Sequence, residues 1–226
     1  MSSKEFRIKY FVVTVIIAIT VIFGIINYPS STDLELINSN MNKQSDTVDT
    51  SFGSPVMGSS DAPVTIIEFG DYQCSNCKKW FLETKPDIIT NYIDTGKASL
   101  VFVDIAFLGK DSLPASRATY CAQDQGQYWK YHSFLYSNQM GIDNGWANND
   151  SLKGYAYNLG LDMDLFETCI DSDKFEKRVE FNTKEAQRNK VTATPTFFII
   201  GADGTQKIIV GPQPYSIFEK TIESIS

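Results

Sequence analysis

The sequence predicts an α/β domain with an all-helical insertion, preceded by one transmembrane helix and a flexible linker. Three features of the 226-residue chain lead to this prediction. An uncharged apolar run lies near the amino terminus, β-branched runs flank a long region with helical spacing, and a hairpin followed by a helix closes the chain. A hydrophobic content of 42% suffices for one domain with additional segments.

The predicted transmembrane segment covers residues 10–28, which carry no charge and are mostly Val, Ile and Phe. Lys4, Arg7 and Lys9 precede it, so residues 1–9 are expected in the cytoplasm and the catalytic domain outside. A cleaved signal peptide is the alternative, but the apolar run is long for one and no cleavage pattern of small residues follows it. We therefore expect a single-pass, uncleaved anchor in the cytoplasmic membrane.

Residues 29–52 are rich in Ser, Thr and Asn and predict a flexible linker, so the folded domain is expected to cover residues 53–226. The chain has a net charge of -7. An acidic domain offers no basic surface for a polyanion, which argues against nucleic-acid binding.

The first half of the domain predicts a strand, a helix and a second strand. Val64–Phe69 is β-branched and ends in a Gly-Asp turn, which is typical of a buried strand. A helix is expected from Cys74 to Lys85, with Pro86 restarting it toward Gly96. Ser99–Phe107 is predicted to be the second strand.

The second half predicts helices and then a hairpin. Apolar residues recur at helical intervals from about residue 111 to 190, which indicates an all-helical insertion. Thr196–Ile200 and Gln206–Val210 are typical of paired strands, and Tyr215–Ile225 of a closing helix. This order of elements is the thioredoxin arrangement with a helical insert.

The chemistry is predicted at Cys74-Ser-Asn-Cys77, where a turn after a strand becomes a helix. Unpaired N–H groups and the helix dipole at this point favour a thiolate, the attacking and leaving species in disulfide exchange. Half of a zinc site is the alternative, but Cys121 and Cys169 lie 48 residues apart and do not form a second pair at zinc-finger spacing. No metal site is therefore expected.

Three separated motifs resemble the DsbA-like thioredoxin-fold thiol-disulfide oxidoreductases, of which this chain would be a membrane-anchored member: residues 58–77, residues 121–132 and Thr194-Pro195-Thr-Phe-Phe. The resemblance runs from about residue 55 to the end. It implies that Cys74 and Cys77 form the redox-active disulfide, that Pro195 is cis beside Cys74, and that Thr194 offers its backbone to substrate.

The resemblance also implies roles for other residues. Glu68 occupies the position of a buried acid that relays the proton of Cys77, the alternative being a glutamate facing solvent. Cys121 and Cys169 are expected to form a structural disulfide or to remain buried thiols. His132, the single histidine, is expected to be packed and hydrogen-bonded rather than a copper ligand.

The resemblance implies a monomeric enzyme, without a soluble cofactor, that introduces disulfides into unfolded exported proteins. A quinone-linked membrane oxidase of the DsbB or VKOR type would reoxidise it. Ser75-Asn76 differs from the Pro-His of the strongest oxidants, so a reductase or isomerase is one alternative. A non-catalytic adaptor that uses the fold to bind peptides is the other.

Overall fold

The computed structural model describes residues 47–225, and the folded unit begins at Asp49. The predicted cytoplasmic tail, the transmembrane helix at 10–28 and the linker up to residue 46 lie outside the described residues. Within the described range, no helix is long and apolar enough to cross a membrane.

A four-stranded sheet forms the centre of the domain, with strand order β2-β1-β3-β4. The central strand β1 (Val64–Gly70) runs parallel to β2 (Ala98–Asp104) and antiparallel to β3 (Thr196–Gly201), which in turn pairs with β4 (Gln206–Val210). The strands β1 and β2 are buried along nearly their whole length, which explains their almost uninterrupted apolar sequences. The sheet therefore supplies a rigid support for the loops at its ends.

The helix after β1 is built in three pieces. Helix α1 covers Ser75–Glu83, α2 covers Lys85–Ile88, and a π-helical turn covers Ile89–Ile93. Pro86 lies in the first turn of α2, where backbone N–H groups have no acceptor within the helix, so its missing N–H costs no helical hydrogen bond. The helix restarts here, as predicted.

The second strand is shorter than the sequence predicts. Strand β2 ends at Asp104, whereas the apolar run continues to Phe107. The reason is a competing hydrogen-bond acceptor, because the backbone N–H groups of Phe107 and Leu108 donate to the Asp71 carboxylate at 3.1 Å. The chain therefore leaves the sheet at this point and forms a loop beside the end of β1.

Five helices lie between β2 and β3 and confirm the predicted helical insertion. They are α3 (Ser112–Gln123), α4 (Tyr128–Asn138), α5 (Asn149–Asn158), α6 (Met163–Ile170) and α7 (Glu176–Arg188). Helix α8 (Tyr215–Glu223) closes the domain. A disulfide joins Cys121 of α3 to Cys169 of α6, with an S–S distance of 2.07 Å.

Two of the apolar cores formed by residues 47–225 adjoin the helix that follows β1. One core lies inside the insertion and includes the Cys121–Cys169 disulfide. The other lies between the sheet and helices α1, α2 and α8, and its members include Val64, Ile66 and Trp80. Cys74 and Cys77 belong to the first core and Trp80 of the same helix to the second, so α1 connects the two.

Candidate active site

Cys74 and Cys77 occupy different positions at the start of α1. Cys74 is the N-cap residue, and its Sγ accepts a hydrogen bond from the Cys77 N–H at 3.3 Å. Cys74 retains 6% exposure, whereas Cys77 is fully buried. An incoming sulfur therefore meets Cys74 first, and Cys77 can exchange only with Cys74.

The surroundings separate the pKa values of the two thiols. Hydrogen bonds lower the pKa of Cys74 to about 6, the largest effect coming from the Cys77 side chain and smaller ones from the backbone N–H groups of Cys77 and Asn76. Burial raises the pKa of Cys77 well above its ordinary value. Near neutral pH the reduced site therefore holds one thiolate and one thiol, which suits a nucleophile with its resolving partner.

The loop before β3 lies against the first cysteine. The Thr194–Pro195 peptide bond is cis, and Cys74 Sγ lies 3.4 Å from the Thr194 carbonyl oxygen, to which the thiol donates when it is protonated. The structure thus brings Cys74 and Thr194 together across 120 residues of sequence. A backbone segment beside the reactive sulfur is positioned to pair with an extended polypeptide.

Glu68 is buried beneath the active-site helix. It lies on the same face of β1 as Val64 and Ile66, which is the face that α1 and α2 cover. It is 1% exposed, and neither carboxylate oxygen has a hydrogen-bond partner among residues 47–225. Burial raises the pKa of Glu68 to about 8, so the side chain carries a proton at neutral pH, and the charges of Glu68 and Cys77 influence each other.

Asp71 organises the loop between β1 and α1. Its buried carboxylate accepts from the Gln73 N–H at 2.8 Å and the Ser112 hydroxyl at 2.8 Å, in addition to the two N–H groups of the loop after β2. Gln73 continues this network, because its side-chain amide donates to Asp143 at 3.0 Å and accepts from the Asp143 N–H. We refer to these hydrogen bonds as the Asp71 network.

The Asp71 network holds two apolar loops around Cys74. Between them is a groove of 480 Å³ whose apolar lining includes Phe107 and Leu108 on one side and Met140 and Ile142 on the other. Phe107, Met140 and Ile142 are each more than half exposed. Sequence reasoning missed these residues; the available signal was large apolar side chains in segments otherwise rich in Gly and Asp.

His132 lies in the interior of the insertion. Its Nδ1 is 2.9 Å from the Tyr72 hydroxyl and its Nε2 is 3.0 Å from the Lys85 amine, so both ring nitrogens have partners. This is the packed, hydrogen-bonded histidine that the sequence predicts. Cys121 and Cys169 are bonded to each other within the core of the insertion and do not line the groove at Cys74.

Comparisons with known proteins agree with this geometry. A protein-family model described as thioredoxin matches residues 50–224. Disulfide bond formation protein D of Bacillus subtilis is 30% identical over 174 residues, which cover 76% of each chain. A probable disulfide bond formation protein D of Bacillus cereus is 31% identical over 150 residues, covering 64% of this chain and 69% of the relative.

Solved structures show the same similarity. The crystal structure of oxidised BdbD from Bacillus subtilis superimposes with a TM-score of 0.70 at 29% identity, covering 78% of this chain and 94% of that one. The structure of DsbA from Chlamydia trachomatis gives a TM-score of 0.68 at 25% identity, covering 79% and 93%.

Proposed function

This chain belongs to the thioredoxin family and is a DsbA-like thiol-disulfide oxidoreductase, and from that premise we propose that it introduces disulfide bonds into exported proteins. The observation that carries the proposal is the asymmetry of the cysteine pair. Cys74 is partly accessible with a pKa of about 6, and Cys77 is buried behind it. A stabilised Cys74 thiolate favours the reduced enzyme, and an enzyme whose reduced form is stabilised is a strong donor of disulfides.

The proposed reaction has two exchange steps. A substrate thiolate attacks Sγ of Cys74 in the Cys74–Cys77 disulfide, a mixed disulfide forms, and Cys77 leaves as a thiolate. A second substrate thiolate then attacks the substrate sulfur of the mixed disulfide, and Cys74 leaves. The substrate loses two electrons, which the cysteine pair accepts. The low pKa of Cys74 makes it a good leaving group in this second step.

Two features of the site support unfolded polypeptides as substrates. Thr194 presents backbone next to Cys74, and main-chain pairing is independent of the substrate sequence. The apolar groove beside it offers contact area for large side chains near the substrate cysteine. Glu68 is proposed to give its proton to Cys77 when that thiolate leaves, because it is protonated at neutral pH and buried nearby.

We propose that the uncharged apolar run at residues 10–28 is a membrane anchor, which supports an extracytoplasmic location, where structural disulfides such as Cys121–Cys169 persist. We propose that reoxidation comes from a quinone-linked membrane oxidase of the DsbB or VKOR type. The linker would keep the domain within about 30 Å of the bilayer, near enough to meet such a partner.

The experiment that tests the proposed direction is equilibration of the purified protein with a series of glutathione buffers, followed by measurement of the Cys74–Cys77 redox state. A reduction potential of about -120 mV supports donation of disulfides, whereas one of about -270 mV identifies a reductant and contradicts the proposal. Cys74→Ala is the control for catalysis, because an adaptor would still bind peptides without this sulfur, whereas an enzyme loses turnover.

A further inference from the structure

Gln139 ends helix α4 at the edge of the active site. It is the C-cap residue, and its backbone leaves the helical conformation with a ψ of 135°. The residue is buried, with 5% exposure. A buried side-chain amide needs hydrogen-bond partners, because burial separates it from water. The partners of Gln139 therefore show what this residue holds together.

The Gln139 amide joins two backbone positions at the start of α1. Its Nε2 donates to the carbonyl oxygen of Tyr72 at 2.5 Å and to that of Cys74 at 2.9 Å. Carbonyl oxygens only accept, so the NH₂ group and not the amide oxygen of Gln139 faces them. The Cys74 carbonyl also accepts the first helical bond of α1, from the Lys78 N–H at 3.1 Å. Gln139 thus bonds to the peptide group with which the active-site helix begins.

A further hydrogen bond runs in the opposite direction, from α1 to the end of α4. The Lys78 ammonium group donates to the Gln139 backbone carbonyl at 2.7 Å. The last carbonyls of a helix have no acceptor role within that helix, and a positive charge near them is favourable. The start of α1 and the end of α4 are therefore bonded to each other in both directions.

The backbone that Gln139 holds carries the reactive sulfur. Cys74 Sγ accepts from the Cys77 N–H at 3.3 Å, and such a bond weakens as its alignment is lost. Rotation of the peptide groups after Tyr72 and Cys74 would turn the sulfur away from this donor. Because the Gln139 amide bonds both of these carbonyls, it opposes that rotation.

The chain that follows Gln139 forms one wall of the groove beside the reactive sulfur. Met140 and Ile142 in this segment line the groove and are 66% and 53% exposed. Asp143 comes next, and its N–H donates to Gln73 Oε1 at 2.7 Å. The wall is therefore fixed at both ends to the loop that precedes α1, by Gln139 at one end and by Asp143 at the other.

We propose that Gln139 is a positioning residue for disulfide exchange: its side-chain amide keeps Cys74 Sγ directed at the Cys77 N–H, and its backbone keeps the groove wall in place beside that sulfur. This inference rests on the proposed function and adds one residue to it. Gln139 acts through the backbone of Cys74 rather than through the sulfur. A substrate side chain against the wall and the substrate sulfur that attacks Cys74 are thus held in one arrangement.

The test uses Gln139→Met, which keeps an unbranched side chain of similar length and removes both donors. In the full-length reduced protein we expect the pKa of Cys74 to rise by at least one unit from about 6, because its sulfur loses alignment with its donors. At pH 7, a rise of one unit moves the equilibrium with glutathione about fivefold toward the Cys74–Cys77 disulfide. Thiolate absorbance against pH and equilibration with glutathione measure the two quantities.

Gln125→Met is the matched control. The Gln125 amide also bonds backbone groups, because it donates to the Asp162 carbonyl at 3.0 Å and accepts from the Asp162 N–H at 2.8 Å. Asp162 caps α6 within the insertion, away from the start of α1. The control should therefore leave the pKa of Cys74 and the equilibrium with glutathione unchanged.

A second measurement separates the two parts of the proposal. The oxidation of cysteine peptides is followed for one peptide with Phe and one with Ser beside the cysteine. In Gln139→Met, kcat should fall for both peptides, because a Cys74 of higher pKa is a poorer leaving group. KM should rise severalfold for the Phe peptide alone, because only that side chain uses the displaced wall. A loss of stability without displacement would not produce this split.

The outcomes are distinct. An unchanged pKa of Cys74 in Gln139→Met overturns the first part of the proposal, and equal changes in KM for the two peptides overturn the second. If that variant does not fold, Gln139→Asn replaces it, since its amide is one methylene too short to reach both carbonyls, and the same results overturn the proposal. Failure of the proposed function is separate: wild type would equilibrate with glutathione as a reductant, while Gln139→Met would still raise the pKa of Cys74.

Discussion

Two cysteines three residues apart have opposite acidities in this domain. Cys74 caps the helix and faces N–H donors, whereas Cys77 lies one turn inside and is surrounded by apolar side chains. The pKa of the first is lowered by hydrogen bonds and that of the second is raised by burial. The division of labour between attacking and resolving cysteine therefore follows from helix geometry at the scale of single residues.

The acidity of Cys74 depends first on the Cys77 side chain. In the reduced protein, Cys77→Ala removes this donor and should raise the pKa of Cys74 from about 6 toward its ordinary value of 9.0. Cys77→Ser keeps a hydroxyl donor and should retain most of the lowering. Ultraviolet absorbance of the thiolate against pH measures both, and equal midpoints in the two variants would contradict the assignment.

The same pKa predicts how the stability of the reduced protein depends on pH. Because the pKa of Cys74 is lower in the folded state, its contribution is fully present above the unfolded value of 9.0 and is lost as pH falls through about 6. The free energy of unfolding of reduced wild type, minus that of reduced Cys74→Ser, should therefore rise between pH 6 and 9. Denaturant titrations between pH 6 and 9 measure this difference in the free energy of unfolding. A difference that does not change with pH would refute the prediction.

At the scale of elements, one hydrogen-bond network joins three of the loops around the active site. The Asp71 network connects the loop after β1 with the loop after β2 and with the segment around Asp143. Each loop contributes to the surroundings of Cys74, so their relative placement determines the shape of the groove. Loops lack the regular backbone hydrogen bonds of helices and strands. The buried Asp71 carboxylate, which accepts four hydrogen bonds, therefore holds these loops in place.

Asp71→Asn tests the network. The amide oxygen of Asn can replace one carboxylate oxygen of Asp71. The amide NH₂ replaces the other oxygen and cannot accept the hydrogen bonds that were donated to it, such as those from the Phe107 and Leu108 N–H groups. We expect destabilisation of about 2 kcal/mol, from buried donors left without a partner. Asp203→Asn, in the exposed turn after β3, is the matched control and should be nearly neutral. Urea unfolding of both variants measures the difference.

The groove predicts a preference among substrates. Replacing Met140 and Ile142 together by Ser removes exposed apolar surface beside Cys74 and should raise KM severalfold for cysteine peptides with a neighbouring Phe or Leu. Peptides with Ser at that position should be affected little. The control is Leu165→Ser, an equally exposed apolar residue on α6. Equal losses for both peptides would show that the groove does not bind side chains.

At the scale of the whole molecule, the helical insertion forms an apolar core of its own beside the sheet. Its disulfide closes a loop of 48 residues within the helical region, while the reactive cysteines lie where α1 joins the two cores. The two cysteine pairs belong to the same core but lie on different helices. One constrains the fold, and the other remains free to exchange.

Removal of the structural disulfide should affect stability and leave chemistry intact. The double variant Cys121→Ala, Cys169→Ala should lose up to about 4 kcal/mol, which is the chain-entropy value for a loop of this size. The reduction potential of Cys74–Cys77 should stay within the error of measurement. Denaturant unfolding and glutathione equilibration test the two parts, and a large change in potential would show that the pairs are coupled.

The amino-acid sequence by itself determined the order of the strands and helices, the helical insertion, the restart of the helix at Pro86 and the placement of Cys74 at a helix start. These features depend on local properties: side-chain periodicity, proline geometry and capping. The transmembrane helix at 10–28 stays a prediction, because it lies outside the described residues.

Only the tertiary structure decided that Glu68 is buried without a hydrogen-bond partner in the described chain, that Lys85 meets His132, and that Cys121 bonds Cys169. It also ended β2 at Asp104, because Asp71 takes the N–H groups that an apolar run would have paired in the sheet. Each of these contacts joins groups far apart in sequence. Local spacing carries no information about such partners, since burial and charge compensation depend on how the elements pack.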